Sequence, residues 1–166
     1  MRTAAVLTVS DSSARGERAD VSGPATAELL RQNGFEVTEQ KIVPDDHRTI
    51  ESALIHLSER VQLIVTTGGT GLAVRDVTPE ATRGVCTKLI DGIPERMRAA
   101  GLAQTPFSIL SRGVCGVRGG SLILNLTGSP AGAVESLRSV LDILPHAIDL
   151  LAGKTGHDNA TPSSHG

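Results

Sequence analysis

The chain has 166 residues and a mass of 17.2 kDa, light for its length because it holds 18 Gly and only two aromatic side chains, Phe35 and Phe107. Sixteen Lys and Arg against eighteen Asp and Glu leave a net charge of −2 with no Trp or Tyr; this argues against a nucleic-acid groove, which grips bases on aromatic platforms inside positive charge. No apolar run approaches the roughly 20 residues that cross a bilayer, and Met1-Arg2-Thr3 leads into a strand-like run rather than a signal peptide, so a cytoplasmic protein with neither membrane nor nucleic-acid partners is expected.

The two cysteines, Cys86 and Cys115, lie far apart and form no Cys-x-x-Cys or Cys/His cluster. Each reads as a small buried apolar residue, and neither a disulfide framework nor a structural zinc site is expected. This length defaults to one domain, expected over 1–152, followed by a polar, flexible tail over 153–166. With 39% hydrophobic but 1% aromatic residues, Leu, Ile, Val and Ala must fill the core, a composition typical of parallel sheets covered by helices.

The run Ala4 to Val9 reads as a buried first strand that stops at the turn formers Ser10-Asp11-Ser12-Ser13. After a polar loop, Ser22 as cap and Pro24 in the first turn predict a helix over 24–33, closed by Gly34. Phe35 to Val43 is a second strand, ending at Pro44-Asp45-Asp46. Ile50, Leu54, Ile55 and Leu57 lie mostly on one helical stripe, which predicts a helix over 48–60. Leu63-Ile64-Val65 is a third strand that breaks into Thr66-Thr67-Gly68-Gly69-Thr70-Gly71. Thr78-Pro79-Glu80 then combines a cap, a proline at the first helical position and a first-turn carboxylate, predicting a helix to about Leu89. A shorter helix follows Pro94. Ile109-Leu110, Val114 to Val117 and Ser121 to Leu126 read as strands, the last two joined tightly around Gly119-Gly120, with an antiparallel edge. Val134, Leu137, Val140, Leu141 and Leu144 mark a final helix, bent near Pro145. Alternating strands and helices describe a doubly wound α/β fold, a mostly parallel open sheet with helices on both faces. Its ligand crevice should lie beyond the carboxyl ends of the strands, where loops beginning at Ser10, Pro44, Thr67 and Thr127 arrive.

Consecutive glycines after a strand let backbone N–H groups converge on an anion, and the helix starting near Thr78 adds partial positive charge. Phosphate is the natural guest of Gly68 to Gly71; the competing reading is a glycine turn without a ligand. The loop is neither a Walker loop, which needs Gly-Lys-Ser/Thr, nor the dinucleotide fingerprint. Asp45 and Asp46 follow the second strand and Asp76 the third. Carboxylates beside phosphates repel unless a divalent metal lies between them, and Mg²⁺ is held by one or two carboxylates plus phosphate oxygens. A nucleotide with Mg²⁺ fits best, with Asp45 and Asp76 as candidate ligands, although Asp45 and Asp46 also suit an Asx turn before a helix. Thr127-Gly128-Ser129-Pro130 offers a second anion pocket and Ser111-Arg112-Gly113 a cationic fork, unless either is structural only. The five histidines show no metal-ligand spacing and receive no role.

Several ordered segments carry a resemblance: Ser10-Asp11, Pro44-Asp45, Thr67 to Gly71, Arg75 to Glu80, Leu110 to Gly113 and Asn125 to Pro130. The chain resembles the molybdopterin adenylyltransferases, meaning bacterial Mog and MoaB-type proteins and the G domain of gephyrin, from Val6 to about Leu151. The resemblance implies one molybdopterin-binding domain that transfers AMP from Mg-ATP to the terminal phosphate of molybdopterin, releasing pyrophosphate, for molybdenum cofactor biosynthesis. It implies Asp45 and Asp76 as the catalytic aspartates. It also implies that Ser10, Asp11, Thr67, Gly68, Gly69, Thr70, Gly71, Arg75, Thr78, Glu80, Ser111, Arg112, Gly128 and Ser129 bind molybdopterin or nucleotide. A homotrimer, or alternatively a hexamer, and hand-over to a molybdenum-insertion protein follow from the same likeness. Where the family usually has Leu-Pro-Gly-x-Pro, this chain has Leu126-Thr127-Gly128-Ser129-Pro130, which loses a rigid φ. Two alternatives are a MoaB-type binding or assembly protein that does not adenylate efficiently, and a nucleotide pyrophosphatase resembling the competence-damage domain. Scarce aromatics further predict a pterin or adenine held by backbone and small polar groups instead of ring stacking.

Overall fold

The computed structural model describes residues 1–154; from 155 onward the expected tail, with His157 and His165, lies outside the described residues. Six strands form one sheet in the order β2-β1-β3-β6-β5-β4. They are β1 (Arg2–Val9), β2 (Phe35–Val43), β3 (Leu63–Thr67), β4 (Lys88–Leu89), β5 (Cys115–Arg118) and β6 (Ser121–Leu126). The first three and β6 run parallel, while β5 pairs antiparallel with both β6 and β4, so the doubly wound, mostly parallel reading with an antiparallel edge holds.

Seven α-helices accompany the sheet among the described residues: α1 (Asp11–Ala14), α2 (Ser22–Gln32), α3 (His47–Ser58), α4 (Thr78–Val85), α5 (Gly92–Gly101), α6 (Pro130–Arg138) and α7 (Leu144–Leu151). The period-2 alternation of β1 divides the core. Ala4 and Val6 join Leu30, Leu137, Leu144 and Ile148 on one face, and Ala5 and Leu7 join Ile50, Leu54, Leu57 and Val85 on the other. Strands β1, β3 and β6 are buried almost throughout, which is why their sequences run apolar without alternation, whereas the edge strand β2 exposes much of its length. Burial pushes the Cys86 thiol up to about 11 and that of Cys115 up to about 12, so both are inert near neutral pH. No described helix is long and apolar enough to cross a membrane.

Local expectations fail where tertiary pairing or capping competes. The helix from Thr78 ends at Val85, not Leu89. Thr87 N donates to Val117 O at 2.8 Å and Ile90 N to Cys115 O at 2.8 Å, so the open edge of β5 captures Lys88-Leu89 as β4. Ile109-Leu110 is no strand; it closes a 3₁₀ turn over Pro106–Leu110, capped by Thr105 Oγ1 accepting from Phe107 N at 3.2 Å. The final helix is two, with Pro145 in the first turn of α7. Ser10-Asp11-Ser12-Ser13 is more than a turn: Ser10 Oγ accepts from Ser13 N at 3.2 Å and caps the short α1. Neither expected cap, Ser22 or Thr78, acts as one. Both begin their helices and use their hydroxyls elsewhere, while Asp20 Oδ1 accepts from Gly23 N at 3.0 Å instead.

Candidate functional site

The chain leaves β1 for β2 on one side and returns to β3 on the other, so the topological switch point lies between β1 and β3 at their carboxyl ends. There the four expected loops converge on two cavities. The first, about 460 Å³, is lined by Thr8 to Ser10, Ser13, the segment Arg18 to Ser22, Asp45, Thr67 to Gly69, Asp76 and Gly128 to Pro130. The second, about 810 Å³, lies across the glycine loop against Thr70 to Leu72, the α5 end and 3₁₀ turn from Gly101 to Ser111, and the start of α6. Gly69, Asp76, Gly128 and Ser129 line both.

The seam is built from main chain pressed close. Gly68 and Gly69 adopt φ of +94° and +71°, a region that L side chains rarely enter. A Cβ on Gly69 would overlap Thr78 Oγ1, and one on Gly128 would lie 3.3 Å from Gly68 Cα, so side-chain-free backbone is what lets the two glycine loops meet. Thr78 Oγ1 donates to Gly68 O at 3.0 Å, and Thr78 N donates to Gly69 O at 3.1 Å. Behind it, Thr82 Oγ1 donates to Thr78 O at 2.8 Å. Asn125 Nδ2 donates to Thr66 Oγ1 and Thr82 Oγ1, each at 3.0 Å, in a buried polar chain.

Asp45 and Asp11 exchange bonds: Asp11 N donates to Asp45 Oδ2 at 3.0 Å and Asp45 N to Asp11 Oδ1 at 2.9 Å. Arg75 pairs with Asp11 and donates from Nη2 to Asp45 O at 3.3 Å. Its guanidinium holds the Asp11 carboxyl below the usual carboxylate range. Burial pushes Asp45 the other way, above that range, and the charges of Asp11 and Asp76 add to the effect. Asp45 Oδ1 faces the glycine loop, 3.2 Å from where a Gly69 Cβ would sit. Among the described residues no three His, Cys, Asp or Glu side chains gather as a metal-binding group. Asp45 and Asp76 both line the first cavity, a carboxylate pair of the kind that holds magnesium together with phosphate oxygens.

The expected site residues are not equally placed. Ser10, Asp45, Thr67, Gly68, Gly69, Thr70, Gly71, Asp76, Ser111, Gly128 and Ser129 line one or both cavities. Asp11, Arg75, Thr78, Glu80 and Arg112 line neither, and each is engaged with the loops instead: Arg112 reaches Gly71 O, Asp76 O and Glu80. Sequence reasoning misses Arg18, Asp20 and Ser22; their signal is a charged loop ending in an Asp-x-Ser helix start. It also misses Phe107, which lines the second cavity with Leu72 and Leu110 while 73% exposed.

The sequence model of the family described as a probable molybdopterin binding domain matches residues 5–146. A molybdopterin adenylyltransferase of Helicobacter pylori is 43% identical over 89% of this chain and 86% of its own length. Among solved structures, the molybdopterin biosynthesis enzyme MoaB of Thermus thermophilus is 51% identical with a TM-score of 0.87, covering 93% of this chain and 98% of that one. The molybdopterin biosynthesis Mog protein of Mycobacterium ulcerans is 43% identical with a TM-score of 0.85, covering 92% and 97%. By these matches over most of its length, the chain belongs to the family of the probable molybdopterin binding domain.

Proposed function

We propose that this chain acts in molybdenum cofactor biosynthesis as a molybdopterin adenylyltransferase, moving the adenylyl group of ATP onto the phosphate of molybdopterin and releasing pyrophosphate. The observation that carries the reading is the seam: two cavities sized for separate ligands share Gly69, Asp76, Gly128 and Ser129, as a transfer between two bound substrates requires. The Helicobacter pylori relative, a molybdopterin adenylyltransferase, agrees with it.

The attacking phosphate is already anionic, so no residue needs to remove a proton. The barrier is charge repulsion and alignment. The glycine loop supplies main chain that phosphates can approach, Ser129 and α6 offer a helix N-terminus beside it, and Asp45 and Asp76 are the catalytic carboxylates. Magnesium held by these two aspartates would offset charge on the transferring phosphates. A homotrimer and hand-over of product to a molybdenum-insertion protein, both resting on the resemblance, complete the reading, with one domain per chain over 1–152 in the cytoplasm as expected from length and sequence.

The test mixes purified full-length protein with molybdopterin, ATP and Mg²⁺ and follows adenylylated pterin and pyrophosphate. Stoichiometric formation of both is expected. No product with magnesium, manganese or other divalent ions, despite measurable molybdopterin binding, would overturn the enzyme reading in favour of a binding and hand-over protein. Thr127, in place of the family's proline, is the residue that favours this second reading.

A further inference from the structure

We propose that Arg112 is a positioning residue: its guanidinium, neutralised by Glu80, pins the loop that carries Asp76 and does not touch substrate. The proposal rests on the reading of Asp76 as the residue facing both ligands.

Besides Arg75, which pairs with Asp11 and donates to Asp45 O at 3.3 Å, the segment from Gly71 to Asp76 has few contacts to hold it. Leu72 is 69% and Val74 95% exposed, so apolar burial contributes almost nothing, and such segments open easily. Its internal ties are Asp76 N donating to Ala73 O and Ala73 N donating to Asp76 Oδ2, both at 3.0 Å. Arg112 closes the segment from outside at both ends. Nε donates to Gly71 O at 2.8 Å, Nη2 donates to Asp76 O at 2.8 Å, and the Arg112 amide donates to Thr70 O at 2.9 Å. The third nitrogen, Nη1, pairs with Glu80. Burial raises the Glu80 carboxyl most, but the Arg112 bond, a backbone hydrogen bond and the charges of Arg112 and Arg83 together hold it below its ordinary range.

Three separate acceptors around one planar fork is a geometry that lysine cannot reproduce with a single ammonium. The pairing with Glu80 also cancels the charge that a phosphate-binding arginine would need. Arg112 lines neither of the two cavities that Asp76 lines; with Glu80 it borders a separate cavity of about 560 Å³ between α4 and α5, which Asp76 does not reach. The clamp therefore acts on where the carboxylate stands. A displacement of about 1 Å in such a group costs on the order of 10²-fold in rate.

The experiment compares Arg112→Lys, Arg112→Gln and Glu80→Gln with wild type, in adenylyl transfer and in amide hydrogen exchange over 71–77, with melting temperature as the control for folding. Arg112→Lys and Arg112→Gln should lower kcat by roughly 10- to 100-fold while KM for both substrates stays within about twofold, the signature of lost transition-state alignment. Amide exchange over the loop should quicken in both by about tenfold or more. Arg112→Ala should regain turnover when free guanidinium is added, and Glu80→Gln, which keeps the two carbonyl bonds, should lose less than either Arg112 variant. A raised KM with unchanged kcat would make Arg112 a substrate contact and overturn the proposal, as would a Lys variant equal to wild type or an unchanged exchange rate. Hydrogen exchange needs no turnover: if wild type fails to adenylate, the proposed activity falls, and the loop's exchange in the variants still decides the clamp.

Discussion

The two glycine loops at the seam are built alike and held differently. Each leaves a buried parallel strand and enters a helix that has proline in its first turn, Pro79 in α4 and Pro130 in α6. The loop after β3 is tied from four sides: Thr78 on Gly68 and Gly69, Arg112 on Gly71 and Asp76, Arg75 on Asp11 and Asp45 O, and Gly68 N donating to Leu126 O at 3.2 Å. The loop after β6 has one side-chain tie of its own, Ser129 Oγ accepting from Gly132 N at 3.1 Å, and beside it the Thr127 hydroxyl is buried without a partner. On the proposed function the difference follows from what each loop carries: Asp76 would have to stand at one point between two ligands, which demands more restraint than the N-terminus of α6, a helix rigid by itself.

Removing the carboxylate should break this comparison most severely. Asp76→Ala is expected to reduce adenylyl transfer by about 10² to 10³-fold or more, in the range found when preorganised charge stabilisation is deleted, with far-UV circular dichroism and melting temperature close to wild type. Turnover near normal would reject Asp76 as the residue at the seam. Next in size is the backbone itself. Gly69→Ala forces a side chain into φ +71° and into Thr78 Oγ1, and should cost about 1–3 kcal/mol in urea unfolding along with most activity. Gly128→Ala meets only Gly68 Cα at 3.3 Å and should cost less; equal losses would show that the two loops are restrained alike.

Much of this architecture is legible without coordinates, for a physical reason. Buried parallel strands such as Leu63-Ile64-Val65 are continuous apolar runs, and their carboxyl ends must deliver loops to one edge, so Asp45, Gly68 and Gly128 can be gathered there from sequence alone. What is not legible depends on partners distant in sequence. Lys88-Leu89 carries no strand signal strong enough to end a helix, and only the open edge of β5 makes it one. Arg112 reads as a free cation until its carbonyl and Glu80 partners are seen, and Thr78 reads as a cap until Gly68 O takes its hydroxyl. Phe107 is read from sequence only as one of two scarce aromatics, because its place at the wall of the second cavity depends on the 3₁₀ turn that carries it.

The acid side of the pH dependence separates the two aspartates joined beneath the first cavity. Asp45 lies above its ordinary value, chiefly by burial, so activity that needs its carboxylate should fall as pH drops through that raised value, earlier than for an ordinary aspartate. The same shift means the fold favours protonated Asp45, so its ionisation opposes stability at neutral pH and Asp45→Asn should raise the melting temperature while removing activity. Asp11 has the opposite sign. Arg75 lowers it, so its contribution is present above the unfolded value near 3.8 and is lost as pH falls through the lower folded value. Asp11→Asn should therefore lower the melting temperature at neutral pH and match wild type more closely in strong acid. Identical melting shifts for the two variants would contradict the opposed environments.

The smallest expected effect lies in the loosely tied loop and has the least obvious sign. Thr127 Oγ1 is buried with no partner and sits where a Cβ on Gly132 would come within 2.6 Å, against the first turn of α6. Desolvating a hydroxyl without replacing its hydrogen bond costs about 1–3 kcal/mol. Thr127→Val keeps the shape, the β-branch and the backbone N–H while deleting that hydroxyl, so urea unfolding should show a gain of about 1 kcal/mol. A loss of stability would mean that the hydroxyl is satisfied in solution, and a crystal structure would then show an ordered water on Thr127 Oγ1. The neighbouring cavity of about 20 Å³ bounded by Ser108, Ser111, Asn125, Thr127 and Ser136 has room for one such molecule and polar groups to hold it.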